Sequence, residues 1–204
     1  MRQLLAIALL ILASVVAAAP VPKEARKPNW QFPTLVGTEW VYETAGRRNG
    51  LTTDTIAEVG LRRGDPMIHI RSTFECVIEG METSTINATR LIVRDGCLWE
   101  MAGDAPGFLL LKFPPRVGDV WERKHTALAF DRTVTRVVVE ERIKVPAGTF
   151  DCVKVETRAY TGDTLEWTET NWYAPVVGLV KSTGGPIKER AKLLKTFTPG
   201  PAEH

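Results

Sequence analysis

Across residues 67–78 apolar and polar side chains alternate: Ile68, Ile70, Phe74, Cys76 and Ile78 hold one parity, His69, Arg71, Thr73 and Glu75 the other. Successive side chains of a strand point to opposite faces, so this stretch predicts a strand with one buried face. A second run is rich in β-branched residues, passing from Arg132 through Val134, Val137, Val138 and Val139 to Ile143 and Val145. It meets Pro146-Ala147-Gly148, where proline presets φ and glycine accepts a positive φ, which predicts a tight turn. Residues 150–158 then predict the returning strand, Thr161-Gly162-Asp163-Thr164 the next turn, and residues 165–173 a third strand. These three form an antiparallel meander that closes at Trp172-Tyr173-Ala174-Pro175.

Turn signals recur along the rest of the chain. Asn49-Gly50 separates strands predicted at 38–44 and 51–59, and Gly64-Asp65-Pro66 precedes the alternating stretch. Glu79-Gly80, Asp95-Gly96 and Ala105-Pro106-Gly107 punctuate strands predicted at 81–89, 90–94, 97–101 and 108–113, and residues 190–197 give a last one. Beyond the N-terminal apolar run nothing sustains a period of 3.6, so the chain reads as all-β. Alternation fails at one place: Phe150 and Cys152 share a parity, but Val153 and Val155 hold the opposite one. Either a bulge lies near Cys152 or both faces are covered, as in a sheet folded over itself. The expectation is a curved antiparallel sheet forming an open barrel or half-barrel.

The chain also repeats itself. Phe32, Pro33, Val36, Gly37 and Trp40 recur as Phe113, Pro114, Val117, Gly118 and Trp121, each 81 residues on. Thr73-Phe74-Glu75-Cys76-Val77 is echoed by Thr149-Phe150-Asp151-Cys152-Val153, 76 residues on, and Gly96-Cys97-Leu98 more faintly by Gly178-Leu179-Val180. Echoes in one order predict a duplicated β unit, at about 31–111 and about 112–198. The two copies would share one core, because a unit of about 80 residues buries little by itself. In this reading the aromatic residues are anchors under the sheet, and the Pro and Gly residues bend the chain into its first strand.

The N-terminus changes the picture from fold to address. One arginine, Arg2, is followed by an apolar run over 4–16 and by small residues, the architecture of a secretory signal peptide and too short for a membrane span. Val16 and Ala18 permit cleavage after Ala18, giving a signal peptide at 1–18, a Pro-rich linker at 19–29, a β domain at 30–198 and a tail at 199–204. No cysteine follows the apolar run directly, so the expectation is a periplasmic or extracellular protein without a lipid anchor. Without residues 1–18 the chain carries 25 basic and 24 acidic residues, scattered rather than clustered. That distribution gives no footprint for nucleic acid. Cys76, Cys97 and Cys152 are expected as buried thiols, with Cys76 and Cys97 the first pair to test for a disulfide.

Candidate chemistry is sparse. His69, His125 and His204 stand at no metal-ligand spacing, and there is no nucleophile elbow, P-loop or dinucleotide fingerprint, so no catalytic residue, metal or cofactor is predicted. Glu140, Glu141, Glu166 and Glu169 fall in the meander among Arg142, Lys144 and Lys154, where cross-strand ion pairs on a solvated face are the expectation. The six tryptophans are more informative. Trp40 and Trp121 suit core anchors, whereas Trp167 and Trp172 hold opposite parities on one strand, so one of them is free to line a cavity or contact surface. Trp167, Trp172 and Tyr173 are therefore the candidate ligand-binding residues. Phe32, Pro33, Gly37, Trp40, Phe113, Pro114, Gly118, Trp121, Pro146, Gly148, Phe150, Cys152 and Gly178 are read as structural.

Residues 145–156, Val-Pro-Ala-Gly-Thr-Phe-Asp-Cys-Val-Lys-Val-Glu, and 172–181, Trp-Tyr-Ala-Pro-Val-Val-Gly-Leu-Val-Lys, resemble the C-terminal signature of a family of exported bacterial β-rich proteins and lipoproteins of unknown function. Residues 113–121 are similar to the phrase that precedes it. Val176 stands where that pattern has a glycine. The resemblance implies an envelope location and an antiparallel sheet, and it brings no catalytic residues. The functional expectation is a non-enzymatic module binding a lipid or other apolar small molecule in a curved sheet. The alternative is a domain that contacts an envelope protein, and a hydrolase is the least favoured.

Overall fold

The computed structural model describes residues 30–126, 128–186 and 190–201. Residues 1–18 and 19–29, read as signal peptide and linker, lie outside the described residues, as does His204. Twelve strands and, among the described residues, no helices make up the chain: β1 (Glu39–Ala45), β2 (Gly50–Arg62), β3 (Asp65–Ile78), β4 (Met81–Arg94), β5 (Cys97–Ala102), β6 (Ala105–Lys112), β7 (Val120–Lys124), β8 (Arg132–Val145), β9 (Gly148–Thr161), β10 (Thr164–Ala174), β11 (Gly178–Gly184) and β12 (Ala191–Thr198). All pair antiparallel in a single sheet ordered β6-β5-β4-β3-β2-β1-β12-β11-β10-β9-β8-β7. The sheet curls until it is nearly closed into a barrel.

Each half of the chain contributes six consecutive strands, with the boundary between β6 and β7. The start of each half is fixed in the same way. Gly37 N–H donates to Ile56 O and Ile56 N–H to Thr38 O; 81 residues on, Gly118 N–H donates to Val137 O and Val137 N–H to Asp119 O, all at 2.9 Å. Gly37 and Gly118 both take positive φ, 83° and 93°, which a side chain would disfavour. The residue after each acceptor, Ala57 in β2 and Val138 in β8, is looped out of register as a bulge.

The break in alternation near Cys152 now has its cause. Strand β9 stays regular there; Cys152 and Val153 lie on opposite faces and both are buried, at 3% and 1% exposure. Both faces are covered: Val153 packs in the core, and the face of Cys152 looks onto Trp30, Pro114, Pro115 and Pro175; the tip of the same hairpin reaches β12, where Ala147 N–H donates to Leu194 O at 3.0 Å. The two strands expected at 81–89 and 90–94 are one, β4, since nothing between Thr89 and Arg90 breaks the ladder with β3. In the stretch read as tail, Gly200 is buried and its N–H is bonded to Thr38 Oγ1 at 3.0 Å.

The core runs through the interior. Ile56, Ile68, Leu98, Leu111, Val137, Val153, Val155, Val180 and Leu194 are all at most 2% exposed. Trp40 seals one end, its indole N–H on Val177 O at 2.6 Å and its ring between Phe32 and Phe197 at 6.0 and 5.9 Å. Gly178 is a glycine for a local reason: φ is 85°, and a Cβ there would stand 3.1 Å from the Phe32 ring.

Candidate functional site

Strand β10 fixes the orientation of the predicted residues. Trp167, Glu169, Asn171 and Tyr173 share one face and pair with Ala159, Thr157, Val155 and Val153 of β9, three of which are core residues no more than 1% exposed. This face points into the barrel. Trp172 faces the other way. It is buried at 8% exposure, donates its indole N–H to Glu141 Oε1 at 2.6 Å, and lies against Lys154 and Lys181, whose Nζ atoms stand 5.5 and 4.5 Å from the ring. The predicted trio therefore divides: Trp167 and Tyr173 line the interior, while Trp172 is engaged on the outer face.

Trp167 ends a row of rings. Phe108 of β6, His125 and Phe130 of the β7–β8 connection, and Trp167 follow one another with centroids 4.9, 5.2 and 5.4 Å apart, and all four are half-buried. The row crosses the seam between the two edge strands, β6 and β7, which share no ladder. Side chains bridge that seam: Trp121 Nε1 donates to Leu109 O at 3.0 Å, and Lys112 Nζ sits 5.4 Å from the Trp121 ring. His125 Nε2 lies 3.0 Å from Thr133 Oγ1. Burial and the nearby Arg123 guanidinium hold its pKa below the usual histidine value, so the ring is neutral at neutral pH.

Beside this row lies a group of polar side chains with no single sequence motif. Glu100 pairs directly with Phe108 across β5 and β6, and Glu169 follows Trp167 by two residues on the same face. Burial raises both carboxyl pKa values; repulsion from Glu169 adds to the rise at Glu100, whereas Asn171 Nδ2, 3.1 Å from Glu169 Oε2, works against it at Glu169. Burial, then the charges of Glu169 and Glu100, push the Tyr173 phenol up. Further in, Lys192 Nζ lies 3.6 Å from Asp54 Oδ2 and 5.2 Å from the Tyr42 ring, and burial depresses its pKa. Asp54 Oδ1 is buried and accepts no hydrogen bond within the described residues. Glu169 was expected in a solvated ion-pair array; it turns inward instead, because its parity is that of Trp167 and Tyr173.

The signature residues meet elsewhere. A cavity of about 830 Å³ is lined by Trp30, Pro114 and Pro115, Phe150 and Cys152, and Ala174 and Pro175, so the three motif blocks converge on it. Three of its charged residues are engaged: Glu141 accepts from Trp172, and Arg142 holds Asp151 through bonds of 2.7 and 3.1 Å. Burial, with the Asp151 and Glu141 charges, pushes the Cys152 thiol up to about 12. A thiol so far from ionisation at neutral pH is a packing group rather than a nucleophile. All three cysteines are free, and Cys76 lies 3.2 Å from Thr83 Oγ1. No group of three or more potential metal ligands forms among the described residues.

These features define an all-β protein, a nearly closed antiparallel barrel with aromatic and acidic groups directed inward. Residues 122–184 match the DUF3108-like family. A protein of Bacteroides fragilis described as exported, with a YmcC-like fold, superposes with a TM-score of 0.55 at 16% identity, over 83% of this chain and 99% of that one. A Parabacteroides distasonis protein described as a lipoprotein gives 0.51 at 16% identity, over 85% and 100%. At such identity the likeness is one of fold. No curated protein matches the chain.

Proposed function

We propose that the chain is an exported envelope protein that holds an apolar or amphiphilic molecule in the concavity of its barrel and performs no chemistry on it. The observation that carries this reading is the half-buried row Phe108, His125, Phe130 and Trp167, which leaves aromatic surface facing the interior beside polar groups. Sites of this composition, apolar walls with a few fixed polar groups, suit small-molecule ligands. Export is supported by the signal-like N-terminus and by the descriptions of the two structural relatives. Export alone is proposed; the lipoprotein among the relatives argues against reading the missing cysteine as release from the membrane.

Native mass spectrometry of the protein purified from a bacterial host tests the reading. A mass above that of the polypeptide, lost on denaturation and absent from Trp167→Ala, is the expected result; a bare polypeptide mass that stays bare after incubation with lipid extract overturns it. A second reading, docking to an envelope protein, is favoured by Val77 and Ile86, which are 65% and 68% exposed on one face of the neighbouring strands β3 and β4. It predicts that charged substitutions at these two positions abolish capture of a partner and leave the native mass unchanged.

A further inference from the structure

We propose that one end of the barrel, built from the entry into β1, the β6–β7 connection and the β10–β11 turn, docks on the surface of a lipid bilayer; the inference shares export with the reading above and does not depend on its ligand. In an antiparallel sheet of this order, those three loops and the exit from β12 all lie at the same end. They meet there: Trp30, Arg116 and Pro175 line one cavity, and the Phe32 ring stands 3.1 Å from a Cβ position at Gly178. From these loops Leu35, Val36, Val117 and Val176 project at 40–55% exposure, and none of the four packs against the core.

Two observations separate these side chains from ordinary exposed apolar residues. Val36 and Val117 occupy the same position in the two repeats, each directly before a positive-φ glycine, so an apolar residue without a packing role stands there twice. Val176 takes a φ of 55°, and backbone strain at an exposed position points to a use for the side chain outside the fold. Met81, Leu128 and Leu165 are exposed at the other end, but none of them has a positive φ. A bilayer surface takes up apolar tips singly and favours tryptophan at its polar boundary, where Trp30 would stand, whereas a protein interface needs a contiguous apolar centre. The chain also approaches from this end: residues 19–29 join the apolar run at 4–16 to Trp30, and eleven residues span at most about 40 Å. During export this end is therefore within that reach of the bilayer the leader engages.

Flotation of residues 19–204, the form expected after cleavage, with vesicles of phosphatidylethanolamine and phosphatidylglycerol tests the proposal. The protein should float, and should continue to do so as salt rises from about 0.1 to about 0.5 M, because apolar tips rather than a basic patch make the contact. Val36→Asp/Val117→Asp should lower the bound fraction about tenfold or more, and Val176→Gly about threefold, each through lost apolar burial. Met81→Asp/Leu165→Asp should bind like the parent. The Val176→Gly variant relieves strain and so remains folded, which keeps the test decisive if the paired aspartates prevent folding. A parent that does not float, flotation abolished by salt, an equal loss in Met81→Asp/Leu165→Asp, or undiminished binding by Val176→Gly overturns the proposal. None of these outcomes alters the native mass, which tests the ligand reading separately.

Discussion

At the residue scale, one of the four described non-glycine residues with a positive φ is β-branched, and there backbone and side chain are at odds. Val176, between β10 and β11, has φ of 55°, a left-handed conformation that β-branched residues rarely adopt, and its side chain is 53% exposed. A glycine would suit this point better, because the turn needs a positive φ whichever residue occupies it. Val176→Gly removes strain of about 1–3 kcal/mol and adds unfolded-state entropy of about 0.5–1 kcal/mol, so the net is stabilisation by about 1 kcal/mol. Thermal unfolding should rise by about 2–4 °C, and an unchanged or lower midpoint would refute the assignment of strain. Gly148 is the converse case, with φ of 136° and only the Phe150 ring 3.9 Å from a Cβ position, so conformation rather than space keeps it a glycine. Such demands were legible in the sequence because turn residues act locally. The inward turn of Glu169 was not, because β10 carries apolar residues on both parities, Leu165, Trp167 and Tyr173 on one and Trp172 and Ala174 on the other, and only the register with β9, with its shift between Leu165 and Trp167, decides which face is inside.

At the element scale, the meander of β8, β9 and β10 and the long alternating strand β3 were readable because hydrophobic period and turn chemistry agreed there. At Cys152 the sequence left a bulge and cover on both faces open, and it is the second that holds; the bulge at Val138 in β8 could not be read, because it lies inside an unbroken valine run that gives no sign of which residue is expelled. The edges are the other feature that no local pattern reveals. Strands β1 and β12 join the two halves by a ladder of paired residues, but among the described residues β6 and β7 share no ladder and are bridged by side chains, with Trp121 Nε1 on Leu109 O and Lys112 over the Trp121 ring. A seam of that kind opens more readily than a ladder. Trp121→Phe removes the bond and part of the cation–π contact, a loss of about 1–2 kcal/mol. Hydrogen exchange should then accelerate in β6 and β7 and remain slow in β1 and β12. Uniform acceleration across the sheet would mean that the seam is not a local weak point.

At the scale of the whole molecule, the inward carboxylates couple stability to pH. Glu100 and Glu169 have folded-state pKa values above their ordinary ones, with burial as the largest cause at both. Between the ordinary carboxylate range near pH 4.3 and those raised values, the folded state binds more protons than the unfolded one, so the stability these groups contribute is present at acid pH and is lost as pH rises. His125 has the opposite sign: its depressed pKa means that stability increases with pH up to about 6.5. The two effects overlap, so the informative quantity is a difference between proteins rather than a single curve. Glu100→Gln/Glu169→Gln keeps shape and hydrogen-bonding capacity but cannot ionise, and the His125 contribution cancels in the comparison. The double variant should be more stable than the parent at pH 7.5, and its advantage should shrink steadily as pH falls towards 4.5, measured by denaturant unfolding at each pH. An advantage independent of pH would show that the glutamates act through packing. A double variant less stable at pH 7.5 would show that their charges are compensated inside the barrel, by Arg190 and Lys192 at Glu169, more fully than their burial costs.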